Sequence, residues 1–531
     1  MPTDCIDYRE LPQFSELIRD YLDQKASVQP LYHRYPSLSH FEAQCQEKAA
    51  HYSTALRNDL VTEWRRQYEG FTLSEATEAH LNALHEPTTF TITTGHQLNL
   101  FTGPVFFWYK IISVINLCKS LQKTYPHYRF VPVYWMATED HDFEEIQSFR
   151  WGDEKITWET SQQGAVGRFV LDASFEGVRN KIDTAFPDSE RGHFLKALFH
   201  ASYAEGRTLA QATRYLVHQL FDKEGLLIFD GDQTWGKTAF LPYAMREIQE
   251  QITYKTNQET LERMSSYKAQ VNPRELNLFY LESGIRERLT RDGDWIIRHD
   301  SGIRYALEDF KRHCEAQPDC LSPNVLLRPL YQEIVLPNLA YIGGGGEIAY
   351  WLQLKTQFQQ FEVPFPMLIL RNAVLHATAK QAKKATKLGV SFADLFLSTS
   401  DLRTRVVQTI QTVHYDFTAQ KKLLQEQFAA LEKLAVQTDP SFMGAVKAQT
   451  QKQLKGLEHL EKRLLRAEKK KHEVHLNAVE ALQLELFPSR GLQERSVNFS
   501  SFYLAYGPEW ITRLYAELDP LHHYFSVMVW E

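Results

Sequence analysis

Five carboxylates and a histidine fall within the seven positions Glu139, Asp140, His141, Asp142, Phe143, Glu144 and Glu145, directly behind the apolar run FVPVYWMA. Charge that dense at the end of a strand is either solvated surface or a site. As a site it could bind a divalent cation carrying phosphates, hold an ammonium, or take a proton from an attacking amine. Asp140 and Asp142 alternate along the chain and converge if it stays extended. His141 lies between them, suited either to moving a proton or to fixing a carboxylate by a hydrogen bond. Glu144 and Glu145 read as the start of the next element.

Other stretches carry related chemistry. TGHQLNLFTGP places Gly95, His96, Gln97, Asn99 and Gly103 in a strand-to-helix connection, where backbone amides can approach an anion near a helix N-terminus. It has neither the closely spaced glycines of the dinucleotide fingerprint nor a P-loop. In AYIGGGGEIAYW, Gly343, Gly344, Gly345 and Gly346 precede Glu347 in the first turn of a helix. Four glycines cost conformational entropy on folding and imply that backbone must come close to something, a ligand anion or another part of the chain. Asp230 in FDGD and Asn324 in SPNVLLRP are further polar strand-end and loop residues. Arg328 and Arg371 could each grip a carboxylate through two hydrogen bonds or serve as internal ion-pair partners. Cys314 and Cys320 are the only cysteines close together, and without a second pair they complete no zinc site.

These residues need a frame that brings strand ends together. FTITT (90–94), FVPVYWMA (130–137), GLLIFDGD (225–232) and PMLILRN (366–372) are short apolar runs, each paired with helical patterning. Four such strands predict a parallel sheet covered on both faces, with ligands bound at the carboxyl ends. The ends read Gly95-His96-Gln97, the 139–142 cluster, Asp230-Gly231-Asp232 and Arg371-Asn372, all polar. Inserts interrupt this α/β core near 145–205 and 240–320. The first contains the strand candidates KITWET and GRFVLD; the second contains a meander over 277–306 with Asp292-Gly293 as a hairpin turn. Residues 10–70 carry helical patterning (Phe14, Leu17, Ile18, Tyr21, Leu22) that wraps the core.

Beyond Asn372, few glycines and much Ala, Leu, Lys, Gln and Glu mark helical territory to about 486. Val406, Ile410, Val413, Phe417, Leu424, Phe428, Leu431 and Ala435 form one apolar stripe. Asp439-Pro440 starts a second helix, and Leu454, Leu457, Leu460, Leu464 and Val474 continue the pattern. The organisation expected is a core over 1–375, a long antiparallel helical coiled coil over 376–487, and a C-terminal, loop-like segment over 488–531 that packs back on the core. The stripe exceeds what two projecting helices can bury, which predicts a homodimer through the coiled coil.

A net charge of -7 with no basic domain argues against nucleic-acid binding, and the basic run AEKKKHE (467–473) reads as a wet helix face. The N-terminal stretch has no signal-peptide pattern, and Lys110 interrupts the most apolar helix candidate, so no membrane association is expected. Five scattered cysteines read as reduced thiols of a cytoplasmic protein.

TGHQLNLFTGP, VPVYWMATEDHDFEEI, LSPNVLLRPLYQEIVLPNLAYIGGGGEIAYWLQL and LQERSVNFSSFYLAYG, in this order and with a helical pair before the last, resemble the bacillithiol biosynthesis cysteine-adding enzyme family. The resemblance runs from about residue 85 onward. It implies a Rossmann-like core with connecting insertions, a coiled coil suited to dimerisation, and a ligase that adds L-cysteine to the amine of glucosaminyl-malate, the last step of bacillithiol biosynthesis. Such a reaction needs an activated carboxyl, most simply through ATP with Mg, followed by amine attack and proton removal. In that scheme the glycine-rich segments and His96 contact phosphate, Asp140 or Asp142 binds the amine or a metal, and Arg328 or Arg371 binds the malate carboxylates. The lysine-bearing KMSKS loop of class I synthetases has no clear counterpart; Arg263-Met264-Ser265-Ser266 is the nearest string. Two other classes fit the residues alone: a nucleotide-sugar-dependent glycosyltransferase using Asp140-His141-Asp142 as a metal clamp, and a non-catalytic scaffold built around the helical pair.

Overall fold

The computed structural model describes residues 4–152, 154–410, 416–437 and 440–531. Its centre is a five-stranded, fully parallel sheet of β1 (Thr89–His96), β2 (Arg129–Met136), β3 (Leu227–Asp230), β4 (Asn338–Gly343) and β5 (Met367–Leu370). In space the strands run 3-2-1-4-5. This is a doubly wound order, and the direction of winding reverses between β1 and β4.

Four of the strands are those the apolar runs predict. β4 is additional and lies at the heart of the sheet, between β1 and β5. Buried on both faces, NLAYIG carries no polar alternation, and it is squeezed between Pro337 and the glycine run, both strong signals for irregular structure. Helix α1 (Phe106–Thr124) follows β1 and is buried along most of its length, Lys110 included. Helix α2 (Thr234–Glu250) follows β3. The N-terminal helices wrap the sheet as the patterning predicts: the Trp64 indole donates to the Ile228 carbonyl at 3.0 Å and the Tyr21 hydroxyl to the Leu368 carbonyl at 2.6 Å.

The second insert forms a five-stranded antiparallel sheet from residues 278–282, 285–292, 295–298, 304–306 and 321–323. The Asp292-Gly293 turn closes its central hairpin, with Gly293 at φ 59°, a value that favours glycine. The first insert is less sheet-like than its sequence suggests. KITWET contributes to a two-stranded hairpin (Ser148–Trp151 with Glu154–Thr157), but GRFVLD instead passes through a 3-10 turn at Val166–Arg168 and makes a single bridge from Val170 to Thr208.

Past Asn372 the chain first adds a strand, Ala373–Thr378, where composition predicts helix. It runs parallel to Tyr524–Trp530, which is antiparallel to Asp4–Asp7 on its other side. The segment after 491 is therefore helix and strand rather than loop: Phe499–Tyr506, Pro508–Glu517 and then the closing strand. Its aromatic residues enter the core. The buried ring of His376 meets the Trp530 indole at 3.0 Å and the Tyr109 hydroxyl at 3.0 Å.

The helical appendage is present as α3 (Thr418–Ala435) and α4 (Pro440–Lys471), an antiparallel pair tied by Lys421 to Glu461 at 2.6 Å. Val413 and Asp439 lie outside the described residues. Val406 belongs to a separate helix, Thr399–Ile410, that packs on the core, so the predicted stripe is split between two elements. Val474, on the helix after α4, is 87% exposed and does not continue the stripe. No described helix is long and apolar enough to cross a membrane.

Candidate active site

The reversal of winding between β1 and β4 opens a crevice at the carboxyl ends of the strands, and this crevice is a cleft of about 830 Å³. Doubly wound sheets bind ligands at this position because diverging helices leave the strand ends uncovered. One wall comes from β1, β2 and the residues just after them. The second insert supplies the other, through Arg274, Phe279, Arg286 and Arg288.

At the β1 and β4 side the cleft is cationic. Lys110 of α1 is 2% exposed, donates to the Gly95 carbonyl at 2.7 Å and pairs with Glu347 at 2.6 Å. Glu347 also accepts from the Tyr341 hydroxyl at 2.6 Å and the Gly344 amide at 2.9 Å. Burial alone would raise its pKa, but Lys110 and these donors hold it down at about 2. Arg328 spans Gln332 at 3.1 Å and the Tyr350 hydroxyl at 3.3 Å, beside the Tyr341 ring. Gly95 leaves little room for a side chain: a Cβ would stand 3.2 Å from the Tyr341 hydroxyl, a tight contact, with Arg328 at ordinary contact distance. His96 lies between the rings of Phe106 and Phe107, each 5.2 Å away. Burial and the neighbouring Lys110 push its pKa down to about 3, so it is a neutral imidazole at physiological pH, and among the described residues its Nε2 has no hydrogen-bond partner.

At the end of β2 the cleft is acidic. Asp140 accepts from the His141 amide at 2.8 Å and from Gln97 at 2.9 Å, with the Asp142 amide at 3.4 Å. Burial works to raise its carboxyl, yet the His141 side chain, Gln97, the Arg286 guanidinium and the His141 amide hold it well below the usual carboxylate range. Arg286 reaches across from the second insert to His141 Nδ1 at 2.7 Å and stacks on Phe279 at 3.9 Å. Glu139, next in the chain, is ion-paired with the buried Lys237 of α2. Burial, and then the nearby Asp232, raise its pKa against the pull of Lys237.

The fold thus gathers Gly95, His96, Gln97, Asp140, His141, Asn324, Arg328 and Glu347 around one cleft. The other predicted residues lie elsewhere. Asp142 is exposed at the turn into Phe143–Ile146, and the chain does not stay extended past Asp140 because that carboxylate draws both following amides back. Asn99 and Gly103 build the buried connection to α1: Gly103 has φ 61°, and a Cβ there would come within 2.6 Å of the Asn99 Cβ. Asp230 is buried and faces a second cleft beyond the edge of the sheet. Of the glycine run, Gly343 must be small because of Tyr341 and Glu347, while Gly344, Gly345 and Gly346 face a separate cavity of about 140 Å³. Arg371 is not free to bind a substrate: it makes a buried two-pronged pair with Glu494 at 2.6 and 3.1 Å. Asn324 lines the cleft, but its side-chain oxygen is committed to the amides of Leu326 and Leu327.

Sequence reasoning missed Lys110, Tyr341 and the three arginines of the second insert, and it read Glu139 only as a member of the strand-end cluster, with no role of its own. Two signals existed. A lysine inside an apolar helix is costly unless paired, and Arg286 and Arg288, two apart on a strand, must face the same side. Among the described residues no cluster of three or more His, Cys, Asp or Glu side chains is arranged to hold a metal ion.

Residues 1–372 match the family model described as "Bacillithiol biosynthesis BshC, N-terminal Rossmann-like domain", and residues 374–530 match "Bacillithiol biosynthesis BshC, C-terminal coiled-coil domain". A relative from Flavobacterium johnsoniae, named "Putative cysteine ligase BshC", is 48% identical over 99% of this chain and 100% of its own length. Relatives of the same name from Christiangramia forsetii and Cytophaga hutchinsonii are 47% and 36% identical over 99% and 97% of this chain and 99% and 96% of their own lengths. A Rossmann-like core with the cleft at its point of reversal, a coiled-coil appendage and identity sustained from end to end are the same finding at three levels: the chain belongs to the BshC family of bacillithiol biosynthesis.

Proposed function

We propose that this protein is a cysteine ligase that joins the carboxyl group of L-cysteine to the amine of glucosaminyl-malate in an ATP-dependent reaction, giving bacillithiol. Family membership over the whole chain supports the class of reaction, and one observation carries the assignment of the site: a single cleft with an acidic end at β2 and a cationic end at β1 and β4. An acceptor bearing an amine and two malate carboxylates needs both kinds of partner. Asp140, held as an anion, anchors the ammonium; Arg274, Arg286 and Arg288 face the carboxylates across the cleft.

Activation of the cysteine carboxyl by ATP supplies a leaving group, and Lys110 with Arg328 are the cations placed to hold phosphate oxygens at the point of reversal. Magnesium would arrive on the ATP phosphates, most of its ligands being phosphate oxygens and water. The neutral imidazole of His96 and its flanking aromatic rings offer a surface for the cysteine side chain. We further propose a homodimer through α3 and α4 and a reducing, cytoplasmic setting for the five free thiols.

The test is direct. The purified protein, cysteine, glucosaminyl-malate and Mg-ATP should yield bacillithiol, detected as its labelled thiol by mass spectrometry, together with one equivalent of released phosphate or pyrophosphate. Sugar-nucleotide consumption without amide formation would overturn the ligase reading.

A further inference from the structure

We propose that Glu139, backed by Lys237, is the group that takes the proton from the attacking amine, a role that the sequence spreads over Asp140 and Asp142. The proposal rests on the ligase reading and adds a residue and a division of labour to it.

The two carboxylates at the end of β2 are built differently. Asp140 is well supplied as an anion: Oδ1 accepts from two backbone amides, Oδ2 from the Gln97 side chain, and the Arg286 charge lies nearby. A carboxylate so supplied is stabilised as the anion, which suits it to hold a cation and makes it a weak base. Glu139 lines the same cleft, is 12% exposed, and has Lys237 as the only direct partner of its carboxylate among the described residues. One face of the carboxylate is therefore left for a substrate proton.

Lys237 is fixed from behind. Its Nζ donates to the Leu321 carbonyl at 2.6 Å and stands 3.9 Å from Asp232, which is itself held by two hydrogen bonds from Arg168 at 2.7 and 2.8 Å. When Glu139 becomes neutral, the ammonium keeps a carboxylate and a carbonyl as partners, so no buried charge is stranded. The charged and titratable groups facing Glu139 are Lys237 from α2, Asp232 just after β3, Arg168 from the first insert, Arg286 from the second, the buried Tyr331, and Asp140 and His141 on its own loop. Burial and the Asp232 charge move its pKa toward neutrality, where a general base is most effective.

In the step itself, the bound ammonium first releases one proton to solvent, and the free amine nitrogen then bonds to the cysteine carboxyl carbon while the bond from that carbon to its ATP-derived leaving group breaks. The nitrogen loses a proton to the Glu139 carboxylate, which later gives it to water.

The experiment measures kcat against pH with saturating substrates for the wild type, Glu139→Gln, Glu139→Ala, Lys237→Met and Asp140→Asn, with thermal midpoints for each. Glu139→Gln should lower kcat about 100-fold or more. Formate should partly restore the Glu139→Ala enzyme. Lys237→Met should move the acidic limb to higher pH, because the cation that favours ionised Glu139 is gone; a limb set by the substrate amine would stay in place. Asp140→Asn should raise KM for the amine while keeping that limb. Glu139→Gln with kcat within threefold of wild type, or a limb unmoved in Lys237→Met, would overturn the proposal. If Glu139→Gln fails to fold, the formate response and the Lys237→Met limb decide. Wild-type protein that forms no amide at all sinks the ligase reading itself, and the base goes with it.

Discussion

Arg328 and Arg371 are indistinguishable in the sequence as carboxylate binders, and the fold gives them opposite tasks. Arg371 closes a buried ion pair with Glu494 that clamps the C-terminal segment onto β5. Removing one member leaves the other charged and unsolvated, so Arg371→Ala should destabilise the protein by about 3–5 kcal/mol and lower its thermal midpoint before any question of catalysis arises. Arg328 faces the cleft, so under the proposed function Arg328→Lys should fold normally, with an unchanged midpoint and at least a several-fold higher KM for ATP. Asp142 makes a similar contrast with Asp140. Its side chain is exposed and outside the cleft, and Asp142→Asn should change stability by about 0.5 kcal/mol or less and leave product formation intact. Residue type and spacing reveal the acidic end of the site, since strand-end position and charge are both written in the sequence. They do not reveal Lys110 or Arg286, whose roles depend on which distant elements meet.

Among the elements, the legible ones are those with a periodic signal and clean punctuation: β1, β2, β3, β5, the hairpin at Asp292-Gly293 and the long helices. β4 is hidden by the glycine run beside it, and Ala373–Thr378 by helical composition downstream. The coiled-coil pair keeps its apolar surface only partly covered. Leu423, Leu434 and Leu460 are 58%, 57% and 53% exposed, with Leu431 and Phe442 also exposed along the same pair. Replacing residues 417–472 by a short linker should therefore leave a folded core that sediments as a monomer, whereas the full chain sediments as a dimer. A shortened protein that still sediments as a dimer would place the interface elsewhere.

At the scale of the whole molecule, two buried imidazoles make stability depend on acid. His96 and His376 both have pKa values pushed down to about 3 by burial, against an ordinary value of 6.5. Between those values the unfolded chain binds protons that the folded chain refuses, so stability falls as pH drops from about 6.5 toward 3. From pH 7 to 5 each site should cost about 2 kcal/mol, read as a falling midpoint in thermal melts. His376→Asn should flatten that decline without touching the cleft. The sheet around His376 carries a further consequence. The strand Tyr524–Trp530 lies between Asp4–Asp7 and Ala373–Thr378, so the first described strand pairs only with the last. On a ribosome adding about 5–20 residues per second, Asp4–Asp7 waits roughly half a minute or more for its partner. Until then the nascent chain keeps an open sheet edge beside its nearly finished Rossmann-like domain. An interrupted translation product would carry that edge permanently, which marks it for chaperones and proteases rather than for release as a partial enzyme.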